Sequence, residues 1–303
     1  MRKKTTLMSK RESITGLMFI SPWLLGFLAF TAIPMLLSFA LMFMRWDFLR
    51  APAWVGLQNF VDALSKRSFL PALTNTLIFA GAATVLGMVL QVTIAAALSG
   101  RLPGRNAFRV IFYIPSLVIG TAFGLMMWPI FGNGRFGLLN SLLITLGLPE
   151  QRWLSEPGAA VWVMVFMSIW TIGGGMIIFL AGIKGIDRAY YEAAAIDGAG
   201  KTRQFFGITL PLLSPILLFQ TVMSLVANMQ VFDIAVALSM GEMRAMGSRN
   251  SLATLVYYMY GLGFRDFYIG QAAVIGWLIF AISLVLCLAI FRLYKRFSYL
   301  EED

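Results

Sequence analysis

Histidine is absent from the 303 residues, cysteine occurs once, and charged side chains make up only 13% of the chain. Each shortage excludes something. Without His the chain lacks the commonest general base near neutral pH and the commonest metal ligand. The single thiol, Cys287, cannot form a disulfide within the chain, and a metal site built on it would need ligands from elsewhere; its simplest role is that of a small core residue. Acidic residues number 14 against 24 Lys and Arg. An ordinary soluble domain carries roughly 25% charged residues. With 59% hydrophobic residues, this chain cannot cover a water-soluble surface.

What is present is long apolar sequence. Crossing a hydrocarbon layer of about 30 Å takes about 20 predominantly apolar residues. Six runs free of Asp, Glu, Lys and Arg reach that length, between Glu12 and Arg45, Arg67 and Arg101, Arg109 and Arg135, Glu156 and Lys184, Arg203 and Asp233, and Asp266 and Arg292. Two shorter runs, Phe136 to Pro149 and Asn250 to Phe264, have the length of interfacial or re-entrant segments. Within the long runs, Ala95-Ala96-Ala97 and Gly173-Gly174-Gly175 supply the small residues that let helix backbones approach in lipid, or that mark a kink. The first run exceeds a signal-peptide core and no Ala-x-Ala site follows it, which predicts a retained span.

Six spans put both termini on one side. That side collects Arg2, Lys3, Lys4, Lys10, Arg11, Arg101, Arg105, Arg109, Lys184, Arg188, Lys201, Arg203, Arg292, Lys295 and Arg296, against Arg45, Arg50, Lys66, Arg67, Arg135, Arg152, Arg244, Arg249 and Arg265 on the other. Cytoplasmic loops retain Lys and Arg, so the termini are expected in the cytoplasm. The net charge of +10 is then mostly a topology signal. With no long basic stripe interleaved with aromatics, it does not read as a nucleic-acid surface.

The expected fold is an all-α integral membrane protein with six transmembrane helices. A cytoplasmic tail (1–12) leads to a first span (13–44) and an external loop (45–71). A core (72–291) follows, with spans at about 72–99, 110–131, 159–183, 210–237 and 268–291, and a cytoplasmic tail (292–303) closes the chain. Trp46, Trp54 and Trp153 sit where interfacial anchors are expected, and Gln91 is expected to hydrogen-bond between helices.

Between the fourth and fifth spans, residues 184–209 mix charge with apolar residues. Asp187 can cap a helix over Arg188 to Ile196, on which Ala189, Ala193 and Ile196 share one face and Arg188 and Glu192 lie four apart. Gly198-Ala199-Gly200 turns the chain, and a second helix restarts at Lys201. The spacing predicts a helix-turn-helix that either projects into the cytoplasm or lies on the headgroups. Gly200-Lys201-Thr202 imitates the end of a phosphate-binding loop. The first glycine of that pattern is replaced by Ala195 and a helix precedes it, so it is not read as a nucleotide site.

This loop resembles that of the permease subunits of binding-protein-dependent ABC importers, which carry E-A-A, three residues, G, nine residues, I-x-L-P. Here the pattern is filled by Glu192-Ala193-Ala194, Gly198 and Ile208-Thr209-Leu210-Pro211. The resemblance implies that the loop docks into a cleft of an ATPase subunit. Glu192 would meet a basic group there, Ala193 and Ala194 would allow close approach, and Gly198 would make the turn with positive φ. Further stretches are similar to the sugar-type permeases, such as the larger maltose and the glycerol-phosphate importer subunits: Ser21-Pro22-Trp23 with Ile33-Pro34, Phe108-Arg109 with Ile114-Pro115-Ser116, Gly137-Leu138-Leu139-Asn140, Phe232-Asp233, and Tyr257 to Phe264. Ser239-Met240-Gly241-Glu242-Met243 departs from the Thr-x-Gly-Gly-Pro turn frequent in such proteins.

Polar residues within spans tend to face a bundle interior or a watery path. The fifth span offers Gln220, Ser224, Asn228 and Gln230, then Asp233. The positions of Ser224, Asn228 and Gln230 match sugar-contacting positions of the maltose relative. Their amide and hydroxyl groups suit an uncharged sugar, and the same groups could instead bond to neighbouring helices. Asp233 reads either as part of that path or as a residue at the outer headgroup level.

The resemblance implies a permease of the bacterial inner membrane that forms half of a sugar path and works by alternating access. It implies a second, homologous permease, a dimer of ATPase subunits that holds the ATP and Mg, and an extracytoplasmic solute-binding protein. The chain itself would be surrounded by lipid and would bind no cofactor. A membrane-embedded enzyme would need groups that the spans do not offer beyond Asp233. A stand-alone secondary carrier would show ionisable residues in its spans and repeated halves, and neither is visible. The nearest alternative is a permease of the same machinery for an amino acid, phosphate or another small solute.

Overall fold

A computed structural model describes residues 7–100, 102–118, 120–132, 134–239 and 246–297. Arg2, Lys3, Lys4, Arg101, Arg244 and the Met240–Met243 part of the departing turn lie outside the described residues. The chain divides into two compact units, one made of the chain up to Ala63 with Leu262–Val274, the other of Leu64–Gly261 with the chain from Ile275 onward.

In the first unit, helix α1 (Leu7–Phe27) runs through a π-helical turn (Leu28–Ala32) into α2 (Ile33–Leu41). The turn precedes Pro34, which has no N–H to give to the Phe30 carbonyl, so the hydrogen-bond ladder slips by one residue there. Glu12–Leu41 is an apolar helical stretch of 30 residues that buries none of its side chains, as Phe19 (83% exposed) and Phe30 (86%) illustrate. A small ladder of β1 (Met44–Arg45) and β2 (Ala53–Trp54) follows. Trp54 stacks on Phe43 at 5.6 Å. Asn59, in α3 (Gln58–Ser65), is buried and donates to the carbonyls of Met42 (2.9 Å) and Met44 (2.8 Å).

The second unit is organised around α4 (Phe69–Ser99), a helix of 31 residues. Its buried positions include Ala72, Ala80, Ala83, Gly87 and Ala95, so its backbone can approach neighbours closely where lipid gives no hydrophobic drive. Next come α5 (Arg105–Tyr113), a 3₁₀ turn (Ile114–Leu117) around Pro115, α6 (Gly120–Phe131) and the short α7 (Leu138–Thr145). Helices α8 (Ala159–Trp170) and α9 (Gly173–Gly185) form a pair bent by 46° at Thr171–Ile172, where Thr171 Oγ1 donates to the Ser168 carbonyl (3.0 Å). The glycine run is therefore placed just after a break. Both α8 and α9 pack on α4.

Beyond them lie α10 (Arg188–Ile196), α11 (Lys201–Gln204), a π turn (Phe205–Thr209), α12 (Leu210–Leu212) and α13 (Ser214–Met229). The π turn again precedes a proline, Pro211, and a 67° bend separates the stretch Lys201–Leu212 from α13. Helix α13 packs against α4. The chain ends with α14 (Asp233–Leu238), α15 (Leu255–Tyr260), a π turn (Gly261–Arg265) and α16 (Ile269–Phe297), which starts in the first unit and ends in the second. Among the described residues three helical stretches are apolar and long enough to cross a membrane unaided, and bent pairs raise the number to as many as six. The third, fourth and fifth runs of the sequence are thus broken into segments rather than continuous helices.

One core cluster joins Val92, Ala95 and Leu98 of α4 to Met176, Phe179, Leu180 and Ile183 of α9 and to Leu213. A second joins Ala80 to Leu225 and Met229, with Ile282, Leu286, Cys287 and Ile290 of α16 against it. Cys287 is a partly buried packing residue there. Among the described residues Gln91 makes no hydrogen bond between helices. It lies over Gly175 of α9, where any added side chain would collide with it, and its Oε1 is buried without a partner among the described residues.

The segment 246–260 is the least expected feature. Its apolar run is too short to span, and it is buried within the second unit: Leu252, Ala253, Leu255, Tyr257 and Tyr258 are all at most 3% exposed. Its backbone is held by side chains of α4. Asn75 Nδ2 donates to the carbonyls of Asn250 (3.2 Å), Ser251 (3.3 Å) and Ala253 (2.9 Å), and Thr76 Oγ1 accepts from the Leu255 N–H (2.8 Å). Away from water such backbone groups must find partners within the protein.

Candidate coupling loop and solute path

The loop after α9 is built by its caps. Asp187 Oδ1 accepts the Ala189 N–H at 3.0 Å, which satisfies one of the free donors at the start of α10. At the other end Gly198 has φ +76°. The Ala199 N–H donates to the Ala194 carbonyl (2.9 Å) and the Gly198 N–H to the Ala195 carbonyl (3.1 Å), a Schellman closure in which the glycine takes the left-handed position. Glu192 and Ala193 are exposed and Ala194 is half-buried. On the face shared by Ala189, Ala193 and Ile196, the isoleucine is 87% exposed.

Three residues not singled out in the sequence brace this hairpin. Gln204 Nε2 donates to the carbonyls of Ala199 (2.9 Å) and Tyr191 (3.4 Å), so α11 is tied back to α10 and its turn. The Tyr191 hydroxyl and Thr209 Oγ1 share a hydrogen bond of 2.8 Å, with Thr209 buried. A tyrosine eighteen residues from a threonine gives no periodic signal, which is why the pair is invisible without coordinates. Leu210 packs against the α4–α9 core cluster, Ile208 is half-buried in the π turn, and Pro211 lies in the first turn of α12. The motif thus runs continuously from an exposed helix into the bundle.

Gln220, Ser224 and Asn228 lie four apart along α13, but α13 stops at Met229 and the chain turns before α14, so Gln230 and Asp233 do not continue that helix. Ser224 is half-buried on α13. Asn228 Nδ2 donates across to Thr84 Oγ1 of α4 at 3.0 Å, so this amide holds two helices together. Gln230, which ends α13, is exposed and lines a cavity of about 530 Å³ with Val226, Val256, Met259, Phe280 and Ser283. Asp233 is exposed at the start of α14 and lies against Gly120 of α6, where a Cβ would come within 3.2 Å of its own Cβ. Gln220 is buried.

Outside the loop, Asn140 is completely buried and ties α7 down. It donates to the carbonyls of Gly132 (3.3 Å) and Gln151 (2.8 Å) and accepts from the Gln151 N–H (2.9 Å) and Trp153 Nε1 (3.1 Å). Trp153 is therefore a donor in a polar lock as well as an aromatic near the end of a run.

Long apolar helices, breaks between helical segments and a braced helical hairpin running into the bundle are the build of an integral membrane protein. The family model for the binding-protein-dependent transport system inner membrane component matches residues 92–298, and the chain belongs to that family. It is 36% identical over 300 residues to a probable ABC transporter permease protein, YesP, of Bacillus subtilis, covering 97% of this chain and 94% of that one. It is 32% identical over 301 residues to the trehalose/maltose transport system permease protein MalF of Thermococcus litoralis, covering 99% and 98%. The fold is similar to a chain in the crystal structure of a bacterial alginate ABC transporter in complex with an alginate pentasaccharide-bound periplasmic protein. The TM-score is 0.80 at 20% identity, over 98% of this chain and 99% of that one.

Proposed function

We propose that this chain is the permease subunit of an ATP-driven importer of the bacterial inner membrane, forming half of the path for a sugar or oligosaccharide. The observation that carries the reading is the similarity to a relative named for trehalose and maltose transport, over 301 residues and 99% of this chain. The polar, uncharged groups of Ser224, Asn228 and Gln230 are chemically suited to such a solute. The partners are a second homologous permease, a dimer of ATPase subunits holding ATP and Mg, and an external solute-binding protein. Hydrolysis then belongs to the partner, and this chain is not an enzyme.

In this reading α10 and its turn are the docking element. Glu192 faces a basic group of the ATPase subunit, Ala193 and Ala194 let the surfaces meet closely, Gly198 sets the turn, and Ile208, Leu210 and Pro211 hand the motion to α13. Closure of the ATPase pair favours one state of the permease pair because the two states differ in their free energy of contact with it. The test is uptake by proteoliposomes carrying the purified assembly, with binding protein outside and ATP inside. ATP-dependent accumulation of a labelled maltodextrin or other oligosaccharide, and not of amino acids, is expected. Accumulation of amino acids alone would replace the sugar reading with the other-solute one.

A further inference from the structure

We propose that the open concavity between the C-terminal ends of α4 and α9 and the α10–α11 hairpin, lined by exposed cations, is a binding site for a phosphate group, either that of an anionic phospholipid headgroup or free phosphate. The cavity is about 910 Å³. Arg105 opens α5, Lys184 lies in the last turn of α9, Arg188 opens α10 and Lys201 opens α11, and all four line it. No Asp or Glu is among the lining residues. Among the described residues none of these four side chains has an ion pair or a hydrogen bond. The nearby carboxylate of Asp187 is occupied as the cap of α10.

Retention of Lys and Arg on one side of a membrane accounts for their presence in these loops, but it does not require that four from separate segments converge on one concavity. Like charges brought together repel, and Arg188 adds its charge at the start of α10, where the helix dipole is already positive. An anion offsets both penalties. Thr202 brings a hydroxyl to the cavity, and Ala96, Ile183, Ile186 and Phe205 give it apolar ground of the kind a lipid stem needs. Helix α4 ends at Ser99 and α9 at Gly185, so the cavity opens where the apolar helices stop, the depth at which headgroups lie. The Gly200-Lys201-Thr202 stretch that imitates a nucleotide loop thus contributes a cation and a hydroxyl to an anion site of different construction. The inference stands apart from which solute is carried.

The test is native mass spectrometry of the full chain in detergent with phosphatidylglycerol or phosphatidylcholine, and titration calorimetry with inorganic phosphate against chloride at matched ionic strength. Variants are Lys184→Gln/Arg188→Gln/Lys201→Gln, each single change, and a control, Arg45→Gln/Arg50→Gln/Lys66→Gln, that removes three cations elsewhere. Retention of phosphatidylglycerol over phosphatidylcholine by about tenfold is expected, falling stepwise with each cavity change and surviving in the control. Phosphate heat that is lost in the cavity variants without any lipid preference assigns the site to the free anion. Equal retention of the two lipids with no phosphate heat overturns the proposal, as does a control variant that loses as much as the cavity variants. The single variants keep the outcome readable if the triple variant does not fold.

Discussion

Asn75 shows what one side chain can settle in a chain this poor in polar groups. Its amide serves three carbonyls of the buried 250–253 backbone. Its replacement by Ala leaves those acceptors short of a donor, at a cost of about 1–3 kcal/mol for an unsatisfied buried group. Asn75→Ala is therefore expected to lower the thermal unfolding midpoint of the purified chain, and an unchanged midpoint would mean that water supplies the donor. Gly198 is a similar case with a backbone cause. At φ +76° an L side chain is strained by roughly 1 kcal/mol or more, so Gly198→Ala should weaken the turn while the helices on either side persist. Asn228→Ala with Gln230→Ala should reduce uptake while ATPase subunits remain bound. Normal uptake in that variant would leave Asn228 as a helix tie to Thr84 and nothing more.

At the scale of elements, the sequence read most clearly where the signal is local. The helix over Arg188–Ile196, its Asp187 cap and its glycine turn follow from spacing and capping chemistry, and the structure has all three. Apolar runs are equally plain, but where a run bends is a matter of one proline or one hydroxyl. The breaks at Thr171–Ile172 and near Leu213, and the π turns ahead of Pro34 and Pro211, depend on particular missing or diverted hydrogen bonds. Long-range polar contacts left no trace in periodicity. Gln204 to Tyr191, Tyr191 to Thr209 and Asn140 to Trp153 are visible only in three dimensions. The end of α13 at Met229 also separates residues that a continuous helix would have aligned. Tyr191→Phe combined with Gln204→Ala removes the braces of the hairpin and nothing at its exposed face. Transport coupled to ATP hydrolysis should fall severalfold while ATPase binding is kept, measured as solute moved per ATP. A ratio equal to that of the unaltered protein would show that the hairpin is stiff without them.

For the molecule as a whole, the proposed function gives the membrane part of the work to this chain and one mechanical input, the α10–α11 hairpin. The hairpin presents Glu192 and the apolar Ile196 to solvent at one end, and passes through a buried threonine and a core leucine into the bundle at the other. The most direct measurement is made on Glu192→Lys in the reconstituted assembly, reading membrane insertion, retention of the ATPase subunit and solute uptake together. Insertion at the normal level, with the ATPase subunit lost or silent and uptake abolished, is the expected result. Normal uptake with normal coupling to ATP hydrolysis would contradict the account.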